Sequence, residues 1–99
     1  DLPFTALVAS NDDMAIGAIK RLHDQGIAVP EKVSVIGFDD IAIAPYVVPA
    51  LSSVKIPVTE MIQETIERLI FMLDGGDFKF RPPFMGELVL RDSLISFSR

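Results

Sequence analysis

The sequence contains no cysteine and no tryptophan, a single histidine, and no apolar run long enough to cross a membrane. Without cysteine the chain has no disulfide bond and no thiolate metal site. A bilayer-spanning helix needs about 20 consecutive apolar residues, and the first residues also lack the pattern of a signal peptide. These absences favour a cytoplasmic protein without a membrane partner, although a cysteine-free periplasmic protein has the same composition.

Positive charge is also scarce. The chain carries 9 Lys and Arg residues against 14 Asp and Glu residues, which gives a formal net charge of −5. Proteins that bind nucleic acid neutralise phosphates with a clustered Lys/Arg face. We therefore expect that this segment does not contact DNA and that any such contact lies in another part of the protein.

Apolar residues, in contrast, are abundant for so short a chain. They make up 49% of the 99 residues, whereas a chain of this length buries only about 60 to 65% of its unfolded surface. The apolar surface that stays exposed on this chain has to be covered by other residues. We therefore expect extensive pairing with a second chain.

Two segments have the form of a buried strand that ends on polar residues. The run 33–37 leads into Phe38, Asp39 and Asp40, and the run 6–10 leads into the Asn-Asp-Asp triplet at 11–13. Buried parallel strands are continuous apolar runs, and ligands of open α/β sheets bind beyond the carboxyl ends of the strands. The sequence therefore predicts that two polar strand ends converge on one ligand.

Helical patterns follow these strands. A first helix is predicted from residue 12 to about residue 25, ended by Gly26, with Gly17 allowing a close backbone approach. One helical turn is possible near 43–46, and a strand is expected at 52–56. A strongly amphipathic helix then begins at Val58 and extends to Leu73, and a last strand at about 86–91 precedes a frayed tail. The order β-α-β-loop-β-α-β predicts an α/β fold.

Several segments resemble the LacI/GalR family of transcriptional regulators, in the order and at the spacing of that family. The matching segments are Ser-Asn-Asp-Asp-Met-Ala-Ile-Gly-Ala at 10–18, Val-Pro-Glu-Lys-Val-Ser-Val-Ile-Gly-Phe-Asp-Asp at 29–40, Pro-Tyr at 45–46, Pro-Ala-Leu-Ser-Ser-Val at 49–54, and Leu-Val-Leu-Arg-Asp-Ser at 88–93. They cover nearly the whole chain. Within the family, the closest likeness is to repressors of β-glucoside utilisation operons.

The resemblance implies a parallel-sheet fragment of a two-lobed fold of the type I periplasmic-binding-protein-like class. Residues 1–56 are then part of the carboxy-terminal lobe of an effector-binding core, residues 57–85 are a helix and loop that cross to the amino-terminal lobe, and residues 86–99 are a returning strand and tail. The DNA-binding domain is expected to be absent from this chain.

The resemblance also implies ligand-binding residues. Asp39 aligns with an aspartate that binds effector hydroxyls, and Asn11 aligns with an asparagine that touches effector. Each has an alternative, because Asp39 can instead cap the loop at 41–44 and Asn11 can cap the first helix. Asp12 is a second candidate for that helix cap. Asp40 is expected to be the residue that caps the loop, rather than a ligand-binding one.

The first helix and the loop around Tyr46 correspond to the dimer interface of the family. Candidate interface residues are Met14, Ala18, Tyr46 and Val47. The alternative for Tyr46 is packing under the neighbouring prolines. In the closing segment, Arg91 and Ser93 are expected to be structural.

The leading hypothesis is an effector-binding and dimerisation segment of a transcriptional repressor. A small sugar or glycoside would drive hinge closure in a homodimer, and operator DNA would be bound only through an N-terminal helix-turn-helix outside this chain. The protein is not expected to be an enzyme or to hold a cofactor or metal.

A periplasmic sugar-binding protein is the alternative. A remote third possibility is a Mg²⁺-dependent phosphoryl-transfer enzyme using the acids at 12, 13, 39 and 40, but no phosphate-cradling glycine loop accompanies them.

One departure from the family bears on the choice of ligand. Ile56 and Val58 stand where many relatives have a glutamine and an aromatic residue near the effector. An apolar wall at this place is compatible with a β-glucoside that has a hydrophobic aglycone. Whether the ligand induces or corepresses is left open by the sequence.

Overall fold

The structure is a computed structural model that describes residues 2–77 and 83–97. Its elements in chain order are β1 (Ala6–Val8), α1 (Asp12–Asp24), β2 (Ser34–Ile36), a 3₁₀ turn (Ala44–Tyr46), β3 (Ser53–Lys55), α2 (Val58–Leu73) and β4 (Glu87–Val89). This alternation matches the predicted order, and the α/β fold class is confirmed. Residues 78–82 of the expected crossing loop lie outside the described residues.

The chain divides into two units. The first comprises Asp1–Lys55 and Glu87–Arg99, and the second comprises Ile56–Gly86. In the first unit β3 and β4 form an antiparallel pair, with Val54 opposite Leu88. The chain therefore leaves the first unit along β3 and re-enters it along β4, an antiparallel pairing that the sequence analysis did not predict.

The predicted parallel arrangement is present in the first unit. Strands β1 and β2 run parallel with Leu7 opposite Val35, and Ile36 forms a parallel bridge to Ser52 just before β3. The carboxyl ends of β1 and β2 therefore lie at the same edge. Helix α1 covers this sheet, and the buried apolar residues of the unit are Ala9, Ala15, Ile19, Leu22, Val33, Val35, Ala44 and Leu51.

Helix α1 ends where the sequence predicts. Gly26 has a φ of +73°, the left-handed conformation that glycine adopts without a Cβ clash. The Ile27 N–H donates to the Leu22 carbonyl at 2.9 Å and the Gly26 N–H donates to the His23 carbonyl at 2.9 Å. These two bonds form a Schellman motif, which satisfies carbonyls in the last turn of the helix.

The glycine that allows a close approach is Gly37, not Gly17. A Cβ on Gly17 would have nothing within 4 Å, so the expectation for that position is wrong. A Cβ on Gly37 would overlap Asp12 Oδ1 and lie 3.1 Å from Asp12 Cα. The glycine at the end of β2 therefore makes room for the first residue of α1.

The expected fraying of the tail is wrong for the residues just after β4. The buried Ser93 hydroxyl donates to the Val35 carbonyl at 2.6 Å and accepts from the Ser52 N–H at 2.8 Å. The Val35 N–H donates in turn to the Ser93 carbonyl at 2.8 Å. The hydroxyl of Ser34 accepts from the Ile95 N–H at 3.1 Å. Ser93 and Ile95 are therefore fastened to β2.

Helix α2 has the predicted amphipathic stripe but no buried residue within this chain. Ile62, Ile66 and Leu69 on the stripe are 54%, 52% and 57% exposed. A surface helix normally buries its apolar side. Among the described residues, none covers this stripe enough to bury it.

Substituting Gly37→Ala should lower the free energy of unfolding by about 2 to 4 kcal/mol, because the added methyl displaces the buried Asp12 carboxylate from its partners. Chemical denaturation of the full-length protein measures the change. The matched control is Gly17→Ala in α1, which should raise stability by about 0.5 to 1 kcal/mol because it meets open space. Equal effects of the two changes would contradict this account of Gly37.

The isolated 99-residue chain should associate with itself, because the stripe of α2 is uncovered. Sedimentation velocity should show a mass above that of one chain, increasing with concentration. Changing Ile62 and Ile66 to Glu should reduce the association, whereas Gln63→Lys on the polar side should leave it unchanged. A concentration-independent monomer with cooperative unfolding would refute this prediction.

Candidate functional site

The turn after β2 has an uncommon backbone conformation. Asp39 has a φ of 107° and Asp40 a φ of 53°, values that L-residues rarely adopt and that Asp and Asn tolerate better than most. Strained residues of this kind cost roughly 1 to 3 kcal/mol each and persist only where the surroundings impose them. Such residues cluster at ligand-binding sites, so this turn is a candidate ligand-binding site.

Three successive backbone amides hold this turn. The Asp39 N–H donates to the Val54 carbonyl at 2.8 Å, and the Asp40 N–H donates to the Ser53 hydroxyl at 3.0 Å. The Ile41 N–H donates to Asp12 Oδ2 at 2.8 Å. Because the partners come from β3 and from the start of α1, the turn is fixed from two neighbouring elements.

Asp12 is the buried centre of this arrangement. Its side chain is fully buried, and its Oδ1 accepts from the Ser53 hydroxyl at 2.6 Å. Its own N–H donates to the Phe38 carbonyl at 3.0 Å, which joins the turn after β1 to the turn after β2. The sequence analysis named Asp12 as a possible helix cap and as one acid of a possible Mg²⁺ pocket, and it missed this role because partners 29 and 41 residues away leave no local pattern.

Asp40 forms an ion pair with Arg91. Arg91 Nη1 lies 2.7 Å from Asp40 Oδ1 and also donates to the Leu51 carbonyl at 2.7 Å. The expectation that Asp40 caps the loop at 41–44 is wrong, since the 3₁₀ turn has no side-chain cap and the Ile41 amide binds Asp12 instead. The contacts of Arg91 and Ser93 agree with the structural role expected for them.

The Asp39 carboxylate, in contrast, is free. Its residue is exposed, and within residues 2–77 and 83–97 its carboxylate has no hydrogen-bond or ion-pair partner. The alternative in which it caps the loop at 41–44 therefore has no support. A fixed backbone thus presents an unpaired carboxylate, which can accept hydrogen bonds from two vicinal hydroxyl groups.

Asn11 has one of its two predicted roles, and part of its side chain is left over for the other. Its Oδ1 accepts from the Met14 N–H at 2.9 Å, so it is the N-cap of α1 as one alternative predicted. Its amide nitrogen has no partner among the residues that the structure describes, which leaves two donors for a ligand. The Asp12–Phe38 hydrogen bond places this side chain at the same sheet edge as the Asp39 turn.

The four candidate interface residues occupy adjoining segments of the first unit. Tyr46 is 81% exposed, so it does not pack under its neighbouring prolines, and Met14 is 57% exposed. Ala18 and Val47 are half-buried. Val47 contributes to an apolar groove of about 410 Å³ whose lining is Ile16, Ile19, Lys20, His23, Val47 and Val48.

Ile56 and Val58 line an apolar concavity in the second unit. Its volume is about 320 Å³, and its other lining residues are Met61, Ile62, Thr65 and Ile66. The proposed apolar wall thus continues into the stripe of α2.

The acidic residues do not form a metal pocket. Asp12 is engaged by Ser53 and Ile41, and Asp40 is engaged by Arg91. In the described part of the chain, no three His, Asp or Glu side chains are placed to hold a metal ion together.

None of the described helices has the length and hydropathy to cross a membrane.

Comparison with known proteins identifies the architecture around this site. A family model described as a periplasmic binding protein-like domain matches residues 1–94. The HTH-type transcriptional regulator AscG of Escherichia coli K12 is 78% identical over 96 residues, which are 97% of this chain and 29% of that protein. The lactose operon repressor of Rhizobium radiobacter is 32% identical over 88 residues, which are 89% of this chain and 78% of that sequence.

Solved structures agree with these matches. The crystal structure of the E. coli transcriptional repressor ascG superposes with a TM-score of 0.82 at 78% identity, covering 94% of this chain and 34% of that one. The complex of the transcriptional regulator CelR with cellobiose superposes with a TM-score of 0.84 at 31% identity, covering 90% of this chain and 28% of that one. The chain thus spans about a third or less of AscG and CelR, and covers part of their core. This chain belongs to the periplasmic-binding-protein-like domain family, in the form found in transcriptional regulators of the LacI/GalR type.

Proposed function

We propose that this chain is the effector-binding and dimerisation segment of a transcriptional repressor. The observation that carries the proposal is the free Asp39 carboxylate, presented by a strained and fixed turn at the carboxyl edge of two parallel strands. Ligands of open α/β sheets bind at this edge. Asp39 accepts hydrogen bonds from effector hydroxyls, and the amide nitrogen of Asn11 donates to the same ligand.

The effector is a sugar or glycoside, and a β-glucoside fits best. A ligand rich in hydroxyl groups matches a carboxylate acceptor beside an amide donor. The related regulator CelR was solved with cellobiose, a β-linked glucose disaccharide. Ile56 and Val58 stand where many relatives have a glutamine and an aromatic residue near the effector, and these apolar side chains are compatible with a hydrophobic aglycone, which a simple hexose lacks.

Effector binding controls the protein through a hinge. Residues 1–56 and 86–99 belong to the carboxy-terminal lobe, and residues 57–85 cross to the amino-terminal lobe. Strands β3 and β4 are the two connections between these parts of the chain. A ligand that binds one lobe arrangement more tightly shifts the population toward it. Operator DNA is bound by an N-terminal helix-turn-helix outside these residues, in the cytoplasm.

The protein acts as a homodimer through α1 and the loop around Tyr46. Met14 and Tyr46 are exposed apolar side chains beside the half-buried Ala18 and Val47. Aromatic residues and Met are enriched at protein interfaces. A periplasmic sugar-binding protein remains less favoured, because the compared relatives are regulators.

Substituting Asp39→Asn in the full-length protein should weaken effector binding about tenfold, and Asp39→Ala should weaken it roughly tenfold to a hundredfold. Asn retains the tolerance for positive φ, so it tests the charge without disturbing the turn. Titration calorimetry with cellobiose and phenyl β-glucoside measures the affinities, and Asp24→Asn at the far end of α1 controls for net charge. Unchanged affinity in both Asp39 variants would falsify the assignment.

Replacing Tyr46 by Glu should convert the full-length homodimer to monomers at micromolar concentration, because a carboxylate in an apolar interface is left without a partner. Analytical ultracentrifugation measures the mass. The exposed Lys32→Glu variant controls for added negative charge and should stay dimeric. A Tyr46 variant that remains fully dimeric would place the interface elsewhere.

A further inference from the structure

We propose that Arg91 is a positioning residue of the effector site, which acts through Asp40 to hold the turn that presents the Asp39 carboxylate. Arg91 does not itself touch the ligand in this proposal. The inference rests on the proposed function, since it takes Asp39 as the ligand-binding group.

The ion pair between Arg91 and Asp40 is sheltered from solvent. The two side chains are only 17% and 13% exposed, whereas those of the surface pair Lys20–Asp24 are 70% and 44% exposed. Water and salt screen a sheltered pair less than an exposed one. The second bond from Arg91 Nη1, to the Leu51 carbonyl, further fixes the guanidinium. The Asp40 side chain therefore has a defined position.

The position of Asp40 determines that of Asp39. The two residues are adjacent, and both have the positive φ angles that persist only where the surroundings impose them. Asp39 is anchored by its backbone alone, since its carboxylate has no partner among the described residues. Asp40 is anchored by its amide and by its carboxylate. Without the carboxylate anchor the turn is held only by its three amide hydrogen bonds, and the position of the Asp39 carboxylate is less closely fixed.

This anchor also connects the turn to β4. Arg91 lies two residues after the end of β4, and its N–H donates to the Ser52 hydroxyl at 2.8 Å. The chain re-enters the first unit along β4. A displacement of this returning strand therefore reaches the effector site through this ion pair, in addition to the path through β3, and this couples the strand to ligand affinity.

The test compares three variants of the full-length protein: Arg91→Met, Asp40→Asn and the double variant. Titration calorimetry with cellobiose and phenyl β-glucoside should show affinity reduced roughly two- to thirtyfold in each single variant, the range found for residues that act without touching a ligand. The double variant should bind no more weakly than Arg91→Met alone, because both changes remove the same anchor. Its stability should recover partly relative to Arg91→Met, because no unpaired buried carboxylate remains.

Two controls separate positioning from a loss of stability. Leu22→Ala removes a buried side chain of the core and should lower the denaturation midpoint while leaving the affinity of the folded protein unchanged. Lys20→Met removes the exposed ion pair and should change neither quantity. Amide hydrogen exchange without ligand should become faster at Asp39 to Ile41 in Arg91→Met, relative to the rest of the first unit.

Two outcomes overturn the inference. Wild-type affinity in the double variant would show that the unpaired charge left by each single change, and not the position of the turn, governs binding. Unchanged affinity in Arg91→Met, with weakened binding in Asp39→Asn, would show that Arg91 is only structural. If Asp39→Asn binds normally, the proposed function fails instead, and the exchange rates at residues 39–41 still decide whether Arg91 holds the turn.

Discussion

The hydrogen bonds that the buried Asp12 carboxylate accepts hold the elements of the first unit together. Asp12 begins α1, accepts from the Ser53 hydroxyl of β3, and accepts from the Ile41 amide after the β2 turn. A buried charge is tolerated only when its oxygens are hydrogen-bonded, and each oxygen here has a partner. Gly37 leaves the space that this carboxylate occupies. One side chain thus joins the helix, the strand and the loop whose positions define the candidate site.

The four acidic residues near the site have different roles. Asp12 supplies internal hydrogen bonds, Asp40 binds Arg91, and Asp13 remains exposed on α1, so that Asp39 alone presents an unengaged carboxylate from a fixed turn. A group that is already positioned loses little freedom when a ligand binds it. The strained backbone of the turn and the hydrogen bonds of Asp12 that hold it therefore both keep the Asp39 carboxylate in position.

Much of the apolar surface of the described residues is exposed, although the chain is rich in apolar residues. The core of the first unit is small, and its polar members Ser34, Ser52, Ser53 and Ser93 fasten β2, β3 and the tail by hydrogen bonds. Half of the 22 exposed large apolar residues in the described part of the chain lie on α2 or in the loop around Tyr46. Large exposed apolar patches of this kind mark surfaces that contact other chains or other domains. The high apolar content thus serves contacts beyond this chain more than its own core.

Local sequence patterns were enough to predict the helices and strands and the edge at which the site lies. Periodicity and Gly26 predict α1 closely, the apolar runs predict β1 and β2, and the polar residues that end these strands predict their shared edge. These are local signals, carried by neighbours within a few positions. The roles of the individual acidic residues follow only from the folded chain, since the side-chain partners of Asp12 and of Arg91 lie 29 to 51 residues away in the sequence. The tertiary structure also decided the antiparallel pairing of β3 with β4 and the fastening of Ser93 and Ile95, because hydrogen bonds between distant segments depend on how the chain packs and leave no periodic trace in the sequence.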